Sequence, residues 1–212
     1  MRYRSIVALI SVLALASQVA SSQEPARFAP LTAEQLNAEQ KVWADSIKAP
    51  PRNANFANPP YRAYIRAPEL APRLTSLSDY VRWNTSLPPR LSELAILITA
   101  RHWTAQYEWS AHYPLALKGG LDPKVAADIA AGNRPEGMKD DEAALYDLAT
   151  QLRRDKQVSD ATYKAALQQF GERGIMEIIA IIGYYDLVSM TLITMQAEPS
   201  SNGVAPLPPL SK

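Results

Sequence analysis

From Pro68 to Met195, apolar residues return every three or four positions, and the runs are separated by Pro, Gly and Asp-Pro breaks. That spacing lays apolar side chains along one face of an α-helix. No stretch alternates at period two for long enough to make a strand. An all-α domain follows, with helices expected over about Pro68 to Trp83, where Leu70, Leu74, Leu77 and Val81 are in register, and then after Pro88-Pro89. Thr104 is the expected N-cap of a helix from Ala105 to Gly119-Gly120, and Asp122-Pro123 opens a short one to Ala131. Further helices are expected over about Lys139 to Arg154, Ser159 to Phe170 and Gly174 to Met195, with a loop at Gly171 to Arg173. The last of these is almost wholly apolar and should be buried on most sides, at a bundle centre or a subunit interface.

Residues 23–67 form an N-terminal extension. In it, Thr32-Ala33-Glu34-Gln35 has the form of a capping box opening a helix to about Ile47, and Pro50, Pro51, Pro59 and Pro60 make a loop. The domain proper is expected over 68–196, and the Pro- and Ser-rich residues 197–212 as a flexible tail. At the other end, Arg2 and Arg4 precede the apolar run Ile6 to Ala16 and the small and polar residues Ser17 to Gln23. That order is a secretory signal peptide over about residues 1–22. The run is short of the roughly 20 apolar residues that span a bilayer, so a periplasmic or secreted protein without stable membrane insertion after cleavage is expected.

Without Arg2 and Arg4 the chain carries 20 Lys plus Arg against 21 Asp plus Glu, a net charge of −1. Nucleic-acid binding driven by bulk charge is therefore not expected. The sequence has no cysteine, which removes thiol redox chemistry and thiolate metal sites. Its two histidines, His102 and His112, are ten residues apart across an expected helix break and do not supply a metal-ligand set, so no metal or other cofactor is expected.

Glu108 and His112 are four apart, which puts them on one helix face within contact. A carboxylate beside an imidazole orients the ring and raises its proton affinity, the arrangement that acid/base chemistry near neutral pH uses. The same spacing also occurs in solvated surface pairs. Here Trp103, Tyr107, Trp109 and Tyr113 surround the pair, as in a partly dry pocket, although such rings can equally be core. Glu93 lies among Leu91, Leu94, Ala95, Ile96, Leu97 and Ile98, so it must face solvent, pair or serve a site. If the chain reverses near His102 to Thr104, Glu93 reaches His112. Arg101 and Arg82 are candidates to hold a substrate carboxylate, with surface roles as the alternative.

The segments Leu91-Ser92-Glu93-Leu94-Ala95-Ile96-Leu97, Ala105-Gln106-Tyr107-Glu108-Trp109-Ser110-Ala111-His112 and Lys118-Gly119-Gly120-Leu121 resemble the carboxymuconolactone decarboxylase and alkylhydroperoxidase D-like superfamily. Phe170-Gly171 and Ile182-Gly183-Tyr184-Tyr185 fit the same pattern, and the resemblance spans roughly Pro68 to Met195. It implies an alkylhydroperoxidase D-like helical bundle assembled as a homo-oligomer, a trimer or hexamer. The family's glutamate ahead of the apolar helix falls on Glu93. In the peroxidase branch a Cys-x-x-Cys precedes the histidine, and the matching positions here are Ala105 and Glu108. The decarboxylase branch instead has a glutamate four residues before the histidine, as Glu108 stands to His112. The resemblance thus implies a cofactor-independent lyase, isomerase or lactone-acting enzyme on a small carboxylated or lactone substrate, with His112, Glu108 and Glu93 catalytic; Trp109, Tyr107 and Arg101 near them are the candidates to bind substrate. In this reading His112 moves the proton, Glu108 orients and charges it, and Glu93 assists. Peroxidase activity and a non-catalytic binding or assembly role are the alternatives.

Overall fold

The computed structural model describes residues 26–210, which contain eight α-helices, one short 3-10 turn and no strand. The expected signal peptide lies outside the described residues. Helix α4 (Pro89–Trp103) is the axis of the domain. It packs against α5 (Gln106–Lys118), α6 (Pro123–Ala131), α7 (Asp140–Asp155) and α8 (Asp160–Thr194), and α3 (Ala71–Trp83) covers part of α8. Pro89 sits at the first helical position, where its missing N–H costs nothing. Every residue of α4 from Leu91 to Arg101 except Glu93 is buried.

The turn from α4 to α5 differs from expectation. Thr104 adopts a left-handed conformation (φ 51°) and ends α4 instead of capping α5; Ala105 is the N-cap. The amides of Thr104 and Ala105 donate to the carbonyls of Arg101 and Ala100, which closes α4 and turns the chain back along it. At the far end of α5, a Cβ on Gly119 would lie 3.0 Å from the backbone nitrogen of Arg90. The absent side chain lets the end of α5 press against the start of α4.

Three other expectations change. Thr32 and Gln35 cap only a 3-10 turn (Ala33–Gln35), and Asn37 with Gln40 forms a second capping box that opens α1 (Ala38–Ser46). The Gly171 to Arg173 loop is a kink inside the 35-residue α8, absorbed by Gly171 alone (φ 62°, ψ 177°). Helix α8 is long and apolar enough to cross a membrane by length and composition, yet much of it is core, including Ile178, Ile181, Ile182, Tyr185 and Val188. Its outer face nonetheless exposes Met176, Ile179, Met190 and Ile193.

The tail is docked against the domain. Pro114 inside α5 has no N–H, so the carbonyl of Ser110 loses its usual helical donor. Asn202 Nδ2 supplies one at 2.7 Å, and the amide of Ser200 donates to Ser110 Oγ. Further along, Leu207 exchanges two hydrogen bonds with the side chain of Gln106 and is itself buried.

Candidate active site

The reversal at Thr104 and Ala105 brings Glu93 of α4 against His112 of α5. His112 Nδ1 lies 2.6 Å from Glu93 Oε2, and Nε2 lies 2.9 Å from Glu108 Oε1 one turn earlier in α5. The imidazole is therefore clasped between two carboxylates, all three groups being largely withdrawn from solvent. Tyr185 of α8 stands edge-on to the ring at 5.2 Å between centroids, and Tyr184 stands edge-on to Tyr185.

Burial alone would pull the imidazole pKa down. The charges of Glu93 and Glu108, together with the hydrogen bonds to both, outweigh it and lift His112 to about 9. At neutral pH the group is an imidazolium donating from both nitrogens. This alters the expected division of labour. Neither ring nitrogen is free to take a proton in the resting state, so the basic atoms available to a substrate are carboxylate oxygens. Burial likewise raises the Tyr185 hydroxyl well above its ordinary value, so it stays protonated.

Glu108 and His112 open onto a cavity of about 180 Å³. Tyr107, Arg82 and the Pro59-Pro60 turn line it, and Tyr184 and Tyr185 close its far side. The extension thus contributes a wall: the Tyr107 hydroxyl donates to the carbonyl of Pro59, and Tyr61 receives a hydrogen bond from Arg52 at 2.9 Å. Arg52 also donates to the carbonyl of Thr75 and pairs with Asp79, bracing the loop against α3. Arg82 is half-buried with its guanidinium over the ring of Trp83, at 4.9 Å from the centroid. It is the cation that faces the cavity.

Of the residues singled out by sequence, Glu93, Glu108, His112, Tyr107 and Arg82 converge here, with Glu93 behind the imidazole. Trp109 and Arg101 do not. Trp109 follows Glu108 by one position, a rotation of about 100° around the helix, and is buried in the core beside Tyr113. Arg101 lies two turns beyond Glu93 on α4 and binds the carbonyls of Ala130 and Pro208. Tyr184 and Tyr185 were visible only as part of the family pattern. Arg52 carried no signal in its proline-rich surroundings.

Residues 68–151 match the carboxymuconolactone decarboxylase family. The fold matches the alkylhydroperoxidase AhpD core of an uncharacterized peroxidase-related protein from Ralstonia eutropha JMP134, with a TM-score of 0.68 and 16% identity over 85% of this chain and 95% of that one. Residues 68–151 are thus similar to the carboxymuconolactone decarboxylase family, and the chain has the alkylhydroperoxidase D-like fold. An uncharacterized peroxidase-related protein from Silicibacter sp. TM1040 has a similar fold, with a TM-score of 0.66 and 15% identity over 86% of this chain and 96% of that one. So does a protein of unknown function from Agrobacterium tumefaciens, with a TM-score of 0.57 and 14% identity over 65% and 94%. No curated protein matches the sequence. Within the matched segment lie Arg82, Glu93, Glu108 and His112.

Proposed function

We propose that the protein is a cofactor-independent acid/base enzyme acting on a small carboxylated or lactone substrate, as a lyase, isomerase or lactone-acting member of the carboxymuconolactone decarboxylase and alkylhydroperoxidase D-like superfamily. The observation that carries this reading is the buried Glu93, His112 and Glu108 chain, whose outer carboxylate faces a cavity that also presents Arg82. Arg82 holds the anionic end of the substrate. Glu108 takes a proton from the carbon next to the activating carbonyl, and the electron pair stays on the substrate as an enolate. The positive charge of His112 stabilises Glu108 as an anion before the transfer, and Glu93 keeps that charge in place. Return of the proton at another carbon gives isomerisation. In decarboxylation no proton is removed first: the electron pair of the C–CO2 bond passes into the carbonyl to give the enolate as carbon dioxide leaves, and protonation at that carbon completes the reaction.

The similarity in fold to two peroxidase-related proteins raises a peroxide-consuming reading. With no cysteine in the chain, thiol-based peroxide reduction has no nucleophile here. Export across a membrane, as the order of residues 1–22 suggests, and assembly into a homo-oligomer are parts of the same proposal. The apolar face of α8 with Met176, Ile179, Met190 and Ile193 supports the assembly.

A screen of the purified protein against small lactones and unsaturated carboxylic acids, with His112→Gln as control, tests the function. Turnover that disappears in the variant while the circular dichroism stays unchanged is expected. Equal turnover in both proteins overturns the reading.

A further inference from the structure

A second cavity, of about 340 Å³, lies between α4, α6, α7 and the docked tail, and it shares no lining residue with the His112 pocket. Its apolar walls are Ile98, Ile129 and Leu210. Among the described residues its polar side is Arg101, Arg153 and Arg154, and no carboxylate lines it. Leu210 seats against Gly132, where a Cβ would come within 2.7 Å of the leucine side chain. The glycine leaves room for the tail to form this wall.

The arginines are only partly satisfied. Arg101 is 5% exposed and binds two carbonyls and the hydroxyl of Thr104, so its charge has no acidic partner among the described residues. Arg153, with 9% of its side chain exposed, pairs with Asp186 through Nη2 alone. Arg101 Nε and Arg153 Nε and Nη1 are buried without hydrogen-bond partners among the described residues. Arg154, at the rim, pairs with Asp155. A buried guanidinium with unused donors and no counter-charge is unfavourable unless an anion comes to it. His102, also on the wall, has its pKa pulled down by burial and by Arg153, so it adds a neutral ring near pH 7.

We propose that this cavity is a binding site for an amphipathic monocarboxylate, its carboxylate held by Arg101 and Arg153 and its apolar body against Ile98, Ile129 and Leu210. A carboxylate supplies the counter-charge that Arg101 lacks, and the apolar walls disfavour a fully hydrated ion. The site is independent of the acid/base centre.

Ligand-observed NMR titration of the full chain with hexanoate, hexanamide and sulfate tests this. Hexanoate should bind at least 10-fold more tightly than either of the others. Arg101→Gln should abolish the preference for hexanoate over hexanamide. Thr150→Trp, which fills the cavity from α7, should abolish binding of both in this cavity; its fold is checked by circular dichroism. Arg82→Gln, in the other pocket, should leave unchanged the hexanoate binding that Thr150→Trp removes. Equal affinity for hexanoate and hexanamide, tighter binding of sulfate, or loss of hexanoate binding in Arg82→Gln but not in a folded Thr150→Trp overturns the proposal.

Discussion

Replacing Glu93 by Gln removes one of the two carboxylates that hold the charge on His112 while keeping the shape of the side chain. An opposite charge within about 4–6 Å raises a histidine pKa by about 1–3 units. His112 stands at about 9 with both carboxylates in place. The variant should therefore titrate between about 6 and 8, with Glu108 still supplying part of the rise. Histidine-selective NMR reads this directly, because the chain has only two histidines. His102 is separable, since burial and the nearby charge of Arg153 hold its pKa below the ordinary histidine value. A wild-type His112 that titrates near 6.5, or a Glu93→Gln variant whose His112 does not move, would refute the clasped imidazolium.

The same shift fixes how stability responds to pH. Because the folded pKa of His112 is raised above its unfolded value of about 6.5, its contribution is complete below pH 6.5 and is lost as pH rises through about 9. Urea unfolding of wild type against His112→Gln should show that difference shrinking by about 3 kcal/mol between pH 6 and pH 10. Arg82→Gln should raise KM for a carboxylate substrate by about 10- to 100-fold, the worth of a hydrogen bond to a charged group, and leave KM for the matching neutral ester nearly unchanged. Glu177 accepts from the Tyr80 hydroxyl, from the amide and hydroxyl of Ser86 and from Arg173. Although its burial opposes ionisation, these donors hold its pKa down to about 2. Glu177→Ala removes these hydrogen bonds, and because Tyr80, Ser86 and Arg173 reach solvent the loss should be about 1–2 kcal/mol in chemical denaturation at pH 7.

What could be read from sequence was what local spacing encodes. Asp122-Pro123 and Gly119-Gly120 mark helix ends because their backbone preferences are intrinsic, and Glu108 meets His112 because four residues make about one turn. Glu93 stood out because a carboxylate within an apolar run requires a partner, and His112 is that partner. The errors arose where a tertiary contact decides. Thr104 is a good N-cap residue, but the tight reversal needs a left-handed residue there to end α4. The tail has a disordered composition, and only the carbonyl freed by Pro114 across the fold explains why Asn202 binds it. Arg101 looked like a substrate ligand because it is close in sequence to the site, yet its place on α4 turns it toward the tail.

The central claim is that Glu108, charged and oriented by His112, exchanges a proton with a small anionic substrate beside Arg82. Incorporation of solvent deuterium into a lactone or unsaturated carboxylic acid turned over by the wild type tests it most directly. Wild-type protein should label the carbon next to the carbonyl, and folded Glu108→Gln should do so at least about 100-fold more slowly, the scale of one general acid/base group. Labelling by Glu108→Gln at the wild-type rate would contradict the account.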